Sequence, residues 1–188
     1  MPAPQGWLAG WLDRILAAVV DVLKALISGL FRAPATAAAR AVAPIVVRRG
    51  TPDEVVDVRH RVLREGRPRE TAVFSGDDAP DARHWVAVQS DRVVGVASVM
   101  RADMPHPPAG VDAPRWQLRG MAVLPELRGE GLGAKLLLAA HADVAASMWC
   151  NAREAVVPFY VRHGWKTVGT PFDSAGVGPH LEMWWAGG

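Results

Sequence analysis

The sequence has a single cysteine, a single tyrosine and a formal net charge of only +2 among its 188 residues. One cysteine, Cys150, excludes a disulfide within the chain and suits a reducing cytoplasm. The first 44 residues hold four basic and two acidic side chains, which leaves 17 of each to the remaining 144. Because this larger part is neutral and contains no basic block, we expect no nucleic-acid partner.

Several residues that could carry chemistry are better explained by packing. Cys150 has no Cys or His partner at metal-ligand spacing, so it is interpreted as a small buried residue and no metal is predicted. His141 is assigned to a helix surface or to packing. Six tryptophans are expected to build core and cleft walls: Trp85, Trp116, Trp149, Trp165, Trp184 and Trp185.

Residues 1–33 are predicted to form an amphipathic helix. At 100° per residue, their apolar side chains share one side and their charged side chains share the other. Two acidic and two basic residues balance on the polar side, which disfavours a polybasic membrane-surface helix. These are Asp13, Asp21, Arg14 and Lys24. The same charges interrupt the apolar run that a membrane span or a signal peptide would need.

Residues 34–44 form an Ala/Pro stretch that is typical of a linker. The helix either folds back onto its own domain or docks elsewhere, and the linker favours docking. The helix could dock on a partner protein, on a second copy of the chain or on a membrane interface. A protein shell is a further alternative, because a helix with such a linker resembles the tails that recruit cargo enzymes into shells. The expected location is the cytoplasm, with this helix as a tether.

From residue 45 to residue 188 the pattern is that of one α+β domain. Strands are predicted at 45–49, 84–89, 93–101, 116–124 and 148–152, and two more near 165–170 and 180–185. Thr51 is a predicted N-cap, with Pro52 at the first helical position and Glu54 completing a capping box. A second helix is predicted over 135–148 and a short one within 153–164.

The stretch RGEGLG (residues 128–133) lies between an apolar strand and a helix. Unpaired N–H groups and the helix dipole make such a helix start an anion site suited to phosphate. Glycines here would let phosphate oxygens approach the backbone. A tight turn that needs glycine only for its bend remains the alternative, and neither common nucleotide-binding fingerprint fits.

The pattern Arg128-x-x-Gly131-x-Gly133 resembles the coenzyme A signature of the GNAT superfamily of N-acetyltransferases. AREAVVPFYVRHGW resembles the second motif of that family, and the closing segment resembles its C-terminal hairpin. The resemblance implies a GNAT fold, with a central, mostly antiparallel, twisted sheet flanked by helices. It also implies acetyl-CoA as cosubstrate and a small-molecule or peptide amine as acceptor.

The resemblance also implies roles for individual residues. The backbone of Met121 and Val123 would pair with the pantetheine amides, and Tyr160 would be the general acid for the departing thiolate. The pyrophosphate would be held by the N–H groups of the glycine loop, with Arg128 at its entrance. The loop residues that are meant are Gly129, Gly131, Leu132, Gly133 and Ala134.

Two positions depart from the family pattern. Arg153 stands where many members have a cofactor-contacting Asn, and the central strand lacks the Glu that serves several relatives as base. A water chain, an Asp or a His such as His180 could take that role. We therefore expect an N-acetyltransferase in which a primary amine attacks acetyl-CoA directly. The alternative is a non-catalytic acyl-CoA-binding module recruited to an assembly, a membrane or a protein shell by its N-terminal helix.

Overall fold

The computed structural model describes residues 19, 20, 23, 24, 43–174 and 176–188. The chain divides into two compact units, Met1–Val42 and Ala43–Gly188. Residues 19, 20, 23 and 24 are helical, and the rest of the predicted N-terminal helix lies outside the described residues. Within the part of the chain that is described, no helix has the length and hydropathy needed to cross a bilayer.

The second unit is built on one seven-stranded sheet with the order β1-β2-β3-β4-β5-β7-β6. Every neighbouring pair is antiparallel except β4 and β5, which are parallel. Together with the flanking helices, this sheet confirms the predicted α+β class. The strands are β1 Val46–Gly50, β2 Arg83–Gln89, β3 Arg92–Arg101, β4 Trp116–Val123, β5 Met148–Arg153, β6 Lys166–Ser174 and β7 Gly178–Trp185.

Three α-helices accompany the sheet: α1 Pro52–Leu63, α2 Leu132–Val144 and α3 Val157–Val161. The predicted capping box begins α1, since Thr51 Oγ1 accepts from the Glu54 N–H at 3.4 Å and Glu54 Oε2 accepts from the Thr51 N–H at 2.9 Å. Short 3₁₀ turns precede β2, α2 and α3, at Arg69–Ala72, Pro125–Leu127 and Glu154–Val156.

The bounds predicted for the second helix were wrong at both ends. Helix α2 starts three residues earlier, because Gly131 takes the left-handed conformation at its N-cap and Leu132 and Gly133 are already helical. It also ends earlier, at Val144, because Ala145 is itself left-handed, with φ 49°. The glycines therefore belong to the start of the helix and not only to the turn before it.

Strand β4 is irregular on both of its edges. On the β5 side only Gln117 pairs, with Trp149, so the two strands separate beyond that point. On the β3 side the register shifts where Gly120 and Met121 stand opposite a single residue, a β-bulge. Gly120 has φ 61°, and a Cβ there would lie 2.5 Å from Arg59 Nε, so both the conformation and the space require glycine. The separation leaves the second half of β4 open to a cleft.

The core lies between the sheet and helices α1 and α2. Val86, Val96 and Leu118 from the strands, and Leu136 and Leu137 from α2, are almost wholly buried. Four of the six tryptophans also belong to this interior: Trp85, Trp116, Trp149 and Trp165. The core thus packs against the part of β4 that pairs with both neighbouring strands. This packing holds in place the strand from which the cleft opens.

Candidate active site

A cavity of about 450 Å³ opens where β4 leaves β5. It is lined by the second half of β4, the loop before α2, the first turn of α2 and one side of α3. All the site residues predicted from the sequence line it: Met121, Val123, Arg128, Gly129, Gly131, Leu132, Gly133, Ala134 and Tyr160. The structure brings them together, while the individual roles assigned to them stay predictions.

The glycine loop presents free backbone donors to this cavity. The first N–H groups of a helix have no intrahelical acceptor. Among the described residues, no N–H group of residues 129–134 donates to a backbone carbonyl in the turns, loops and caps. Gly129 and Gly131 have φ 85° and 76°, and a Cβ at either position would meet no atom within 4 Å. Glycine is therefore needed there for its backbone conformation and not for lack of space.

Tyr160 is fixed by aromatic packing but its hydroxyl has no strong acceptor. Its ring makes edge contacts with Phe159 and Trp165, at centroid distances of 5.1 and 5.4 Å. Among the described residues, the only partner of the hydroxyl is the Met121 thioether, with Oη 3.7 Å from Sδ. Burial raises the pKa of the Tyr160 phenol well above its usual value, and the nearby Cys150 adds to the shift. The group therefore stays protonated and can donate a proton.

A second cavity of about 490 Å³ shares six lining residues with the first: Met121, Ala122, Val123, Arg128, Val156 and Tyr160. Beyond them it is lined by the end of α1, Phe74, the middle of β4, the end of β5 and His180. The two cavities thus form two halves of one cleft that meet along the second half of β4 and at Tyr160. His180 is buried, and its Nδ1 lies 2.7 Å from the Gly178 carbonyl, which can only accept. Nδ1 therefore carries the proton, and in the neutral ring Nε2 is left with the lone pair.

The sequence prediction missed the arginines of this second cavity. Arg64, Arg119 and Arg153 line it and come from the C-cap of α1, from β4 and from β5, so no local spacing reveals that they meet. The sequence does offer one signal, the Arg at 153 where the resemblance led us to expect Asn. Arg153 donates to the Leu63 carbonyl at 3.3 Å, which ties the end of β5 to the end of α1.

The residues assigned to packing mostly behave as predicted. Cys150 is buried, and burial followed by the Glu182 carboxylate raises the pKa of its thiol, so it is not a reactive thiolate. His141 accepts from Trp165 Nε1 at 3.1 Å and stacks on Trp185. The expectation that tryptophans form cleft walls was wrong, since none lines either cavity. Within the described residues no group of His, Cys, Asp or Glu has the arrangement of a metal site.

Comparison with known proteins gives the family. The sequence profile of the acetyltransferase (GNAT) domain matches residues 80–167. The uncharacterized N-acetyltransferase YitI of Bacillus subtilis is 32% identical over 136 residues, which cover 70% of this chain and 89% of that protein. The chain belongs to the GNAT superfamily of acetyltransferases.

Solved structures support the same fold. The crystal structure of histone acetyltransferase HPA2 and related acetyltransferase from Corynebacterium glutamicum is 22% identical with a TM-score of 0.61, covering 77% of this chain and 97% of that chain. An aminoglycoside 6'-N-acetyltransferase, complexed with coenzyme A, is 16% identical with a TM-score of 0.56, covering 75% of this chain and 96% of that chain. At these identities the likeness concerns the fold alone.

Proposed function

We propose that this protein transfers an acetyl group from acetyl-CoA to a primary amine, which attacks the thioester directly. The observation that carries the proposal is one cleft that joins free N–H groups at a helix start to a buried, protonated phenol without a strong acceptor. Family membership supports acetyl transfer, and the coenzyme A complex of one structural neighbour supports the donor.

The residues present fit acetyl-CoA. The N–H groups of 129–134 offer an anion site for the pyrophosphate, with Arg128 at the loop entrance. Arg128 Nε donates to the Val123 carbonyl at 3.3 Å, so the loop is tied to the end of β4. Met121 and Val123 belong to the half of β4 that has no strand partner on the β5 side, which leaves backbone groups for the pantetheine amides. Bound acetyl-CoA would supply an activated acetyl thioester.

Tyr160 provides the proton that the reaction needs at sulfur. Its hydroxyl is a donor at any physiological pH, since its pKa is raised, and its ring is held in place by Phe159 and Trp165. The Met121 thioether is a weak acceptor that a stronger one can replace. A ligand sulfur near this hydroxyl would satisfy a buried donor and receive its proton as it leaves.

His180 is the candidate for the group that removes the proton of the amine. It lines the second half of the cleft, which also contains Tyr160. Its Nδ1–H is committed to the Gly178 carbonyl, so the neutral ring has Nε2 as its basic atom. This arrangement places the two proton-handling groups, the Tyr160 hydroxyl and His180 Nε2, on two different elements of the cleft.

The second candidate function is a non-catalytic acyl-CoA-binding module. In this function the first cavity binds acyl-CoA, but the buried hydroxyl of Tyr160 has no role. In both cases we propose that residues 1–33 are a docking helix and residues 34–44 a linker, with the acetyltransferase domain over 45–188. The helix would hold the protein on a partner, a second copy, a shell or a membrane surface in the cytoplasm.

Two measurements on the full chain test the proposal. Calorimetric titration with coenzyme A separates both functions from a scaffold that binds no cofactor. Release of free thiol from acetyl-CoA with a panel of primary amines separates the enzyme from the module. We expect coenzyme A binding and amine-dependent thiol release; binding without release for any amine would favour the module.

A further inference from the structure

The second half of the cleft is rich in arginine. Arg64, Arg119, Arg128 and Arg153 line it together with His180, and no Asp or Glu is among the described residues that line it. The domain as a whole has equal numbers of acidic and basic side chains. The positive charge of this cavity is therefore a local feature of the site and not a consequence of composition.

Three of these arginines have only weak partners. Arg64 donates to the carbonyls of Thr71 and Leu63, at 3.2 and 3.0 Å. Arg119 Nη1 lies 2.7 Å from Met100 Sδ, a poor acceptor. The guanidinium groups of Arg64 and Arg119 also lie over the Phe74 ring, at 5.1 and 4.8 Å.

Arg153 donates only to the Leu63 carbonyl. Within the described residues, none of Arg64, Arg119 and Arg153 forms an ion pair with a carboxylate. Three guanidinium groups from three elements therefore line one cavity with hydrogen-bonding capacity to spare.

The nearby carboxylates are already used. Asp77 forms a bidentate pair with the fully buried Arg59, at 2.6 and 3.1 Å. Glu182 accepts from His106 Nδ1 at 2.9 Å. Asp77 thus pairs with Arg59, which lies deeper on α1, while none of the three arginines of the cavity has an ion-pair partner of its own among the described residues.

This uncompensated charge is costly, because the arginines are close together and partly buried. Burial lowers the pKa of Arg64, and Arg67, Arg153 and Arg59 lower it further. Burial likewise lowers the pKa of Arg119, although Asp77 partly opposes this. A bound anion would relieve both the repulsion and the desolvation, and a guanidinium fork matches a carboxylate or a phosphate group.

The phosphates of acetyl-CoA are not the expected partner of these groups. Arg64, Arg119 and Arg153 do not line the first cavity, which has its own anion site at residues 129–134. Of the four arginines only Arg128 lines both. The volume of about 490 Å³ suits a small molecule.

We propose that the acceptor is a small primary amine that also carries a carboxylate or a phosphate group, and that Arg64, Arg119 and Arg153 bind this anionic group. The anion lies at the end of α1 and the amine points to Tyr160, one of the residues that line both cavities. This inference rests on the proposed acetyl transfer and names the chemical class of its acceptor.

The test uses binding, so that it does not depend on turnover. The full chain, saturated with coenzyme A, is titrated with N-acetylated α-, β- and γ-amino acids and with their methyl esters. N-acetyl-2-aminoethyl phosphate forms a separate arm that distinguishes phosphate from carboxylate. Because charge-assisted hydrogen bonds are worth more than neutral ones, we expect at least one acid or the phosphate to bind about tenfold or more tighter than its uncharged counterpart.

Single substitutions locate the anion. Arg119→Met and Arg153→Met keep an apolar stem and remove the charge, and each should abolish the preference for the anion while the affinity for coenzyme A is kept. Arg115→Met is the matched control, since Arg115 is exposed and lines neither cavity, and it should change nothing. Two independent arginine variants keep the test valid if one of them fails to fold.

The failure of this inference is distinct from that of the proposed function. If coenzyme A binds but acids, phosphate and esters bind equally or not at all, the anionic acceptor is wrong. An anion preference that survives in both folded arginine variants would also overturn it. If the unaltered chain does not bind coenzyme A at all, in contrast, the proposed function is wrong.

Discussion

The Tyr160 hydroxyl lies 3.7 Å from the Met121 thioether, and among the described residues it has no other hydrogen-bond partner. Buried hydroxyl groups normally have a good acceptor, because an unsatisfied one costs free energy. Met121 belongs to the part of β4 that has separated from β5, so the hydroxyl faces the opening that this separation creates. A buried hydroxyl group with only a weak acceptor is what we expect of a donor that hydrogen-bonds to a bound ligand.

Gly131→Val should abolish or strongly reduce coenzyme A binding. Gly131 has φ 76°, a conformation that a β-branched residue avoids, so the loop must rearrange and its N–H groups turn away. Gly110→Val is the matched control, because Gly110 has φ 77° and equally open surroundings but lies outside the first cavity. We expect affinity to fall at least about tenfold at Gly131 only, given the strength of helix-terminus anion contacts. Unchanged calorimetric affinity in a folded Gly131→Val protein would remove the site from this loop.

His180→Gln should lower kcat/KM for the amine by about 10²-fold or more, the usual contribution of a general base. Steady-state kinetics, with the melting temperature as a check on folding, measure this effect. If the variant has unchanged kinetics, His180 has a structural role and solvent removes the proton of the amine.

Acid should destabilise the domain through His141. Burial, with a smaller effect of His163, lowers the pKa of His141 to about 4, against 6.5 for the free side chain. The unfolded chain therefore binds the proton first, and the free energy of unfolding should fall as pH drops from about 6.5 toward about 4. Protonation would also break the hydrogen bond that His141 Nε2 accepts from Trp165.

Urea unfolding at a series of pH values tests this loss of stability. His141→Gln should lower stability at neutral pH but flatten the pH dependence between 6.5 and 5. The slope that remains is expected from His84, whose pKa is also lowered by burial. Glu54 titrates lower, since its pKa is about 2, and does not contribute in this window. An equally steep profile in the Gln variant would contradict the assignment.

A chain beginning at Ala43 should fold, bind coenzyme A and keep its melting temperature. The second compact unit starts at this residue, and the Ala43 carbonyl already accepts from Gln89 Nε2 at 3.0 Å. The same protein should lose self-association or attachment to a partner, a shell or a membrane surface. Sedimentation and pull-down of the two lengths compare these properties. If the shortened chain unfolds, residues 1–42 are part of the catalytic fold and the tether proposal fails.

Local signals explain what the sequence could predict. The capping box at Thr51 and Glu54 is decided by neighbouring residues, and it is present in the structure. The glycine loop could be recognised because strand, glycines and helix are adjacent in the chain. The start of α2 was misplaced because Gly133 has a low helix propensity, which its position in the first turn overrides.

Features that depend on distant parts of the chain were not predictable. At the bulge, the need for glycine at Gly120 comes in part from the space taken by Arg59, which belongs to another element. The cationic half of the cleft needs Arg64, Arg119 and Arg153 to meet, which only the sheet order and the packing of α1 bring about. Charge counting gave no hint of it, since the domain is neutral overall.

The central claim is that Tyr160 donates the proton in acetyl transfer, and Tyr160→Phe tests it most directly. The substitution removes one hydroxyl and keeps the ring contacts with Phe159 and Trp165. With an amine found active in the panel, we expect kcat to fall by roughly 10- to 10⁴-fold, as for other acid–base groups, while the affinity for acetyl-CoA and the melting temperature stay nearly unchanged. A Phe variant with full kcat would contradict the account and leave Tyr160 as a packing residue.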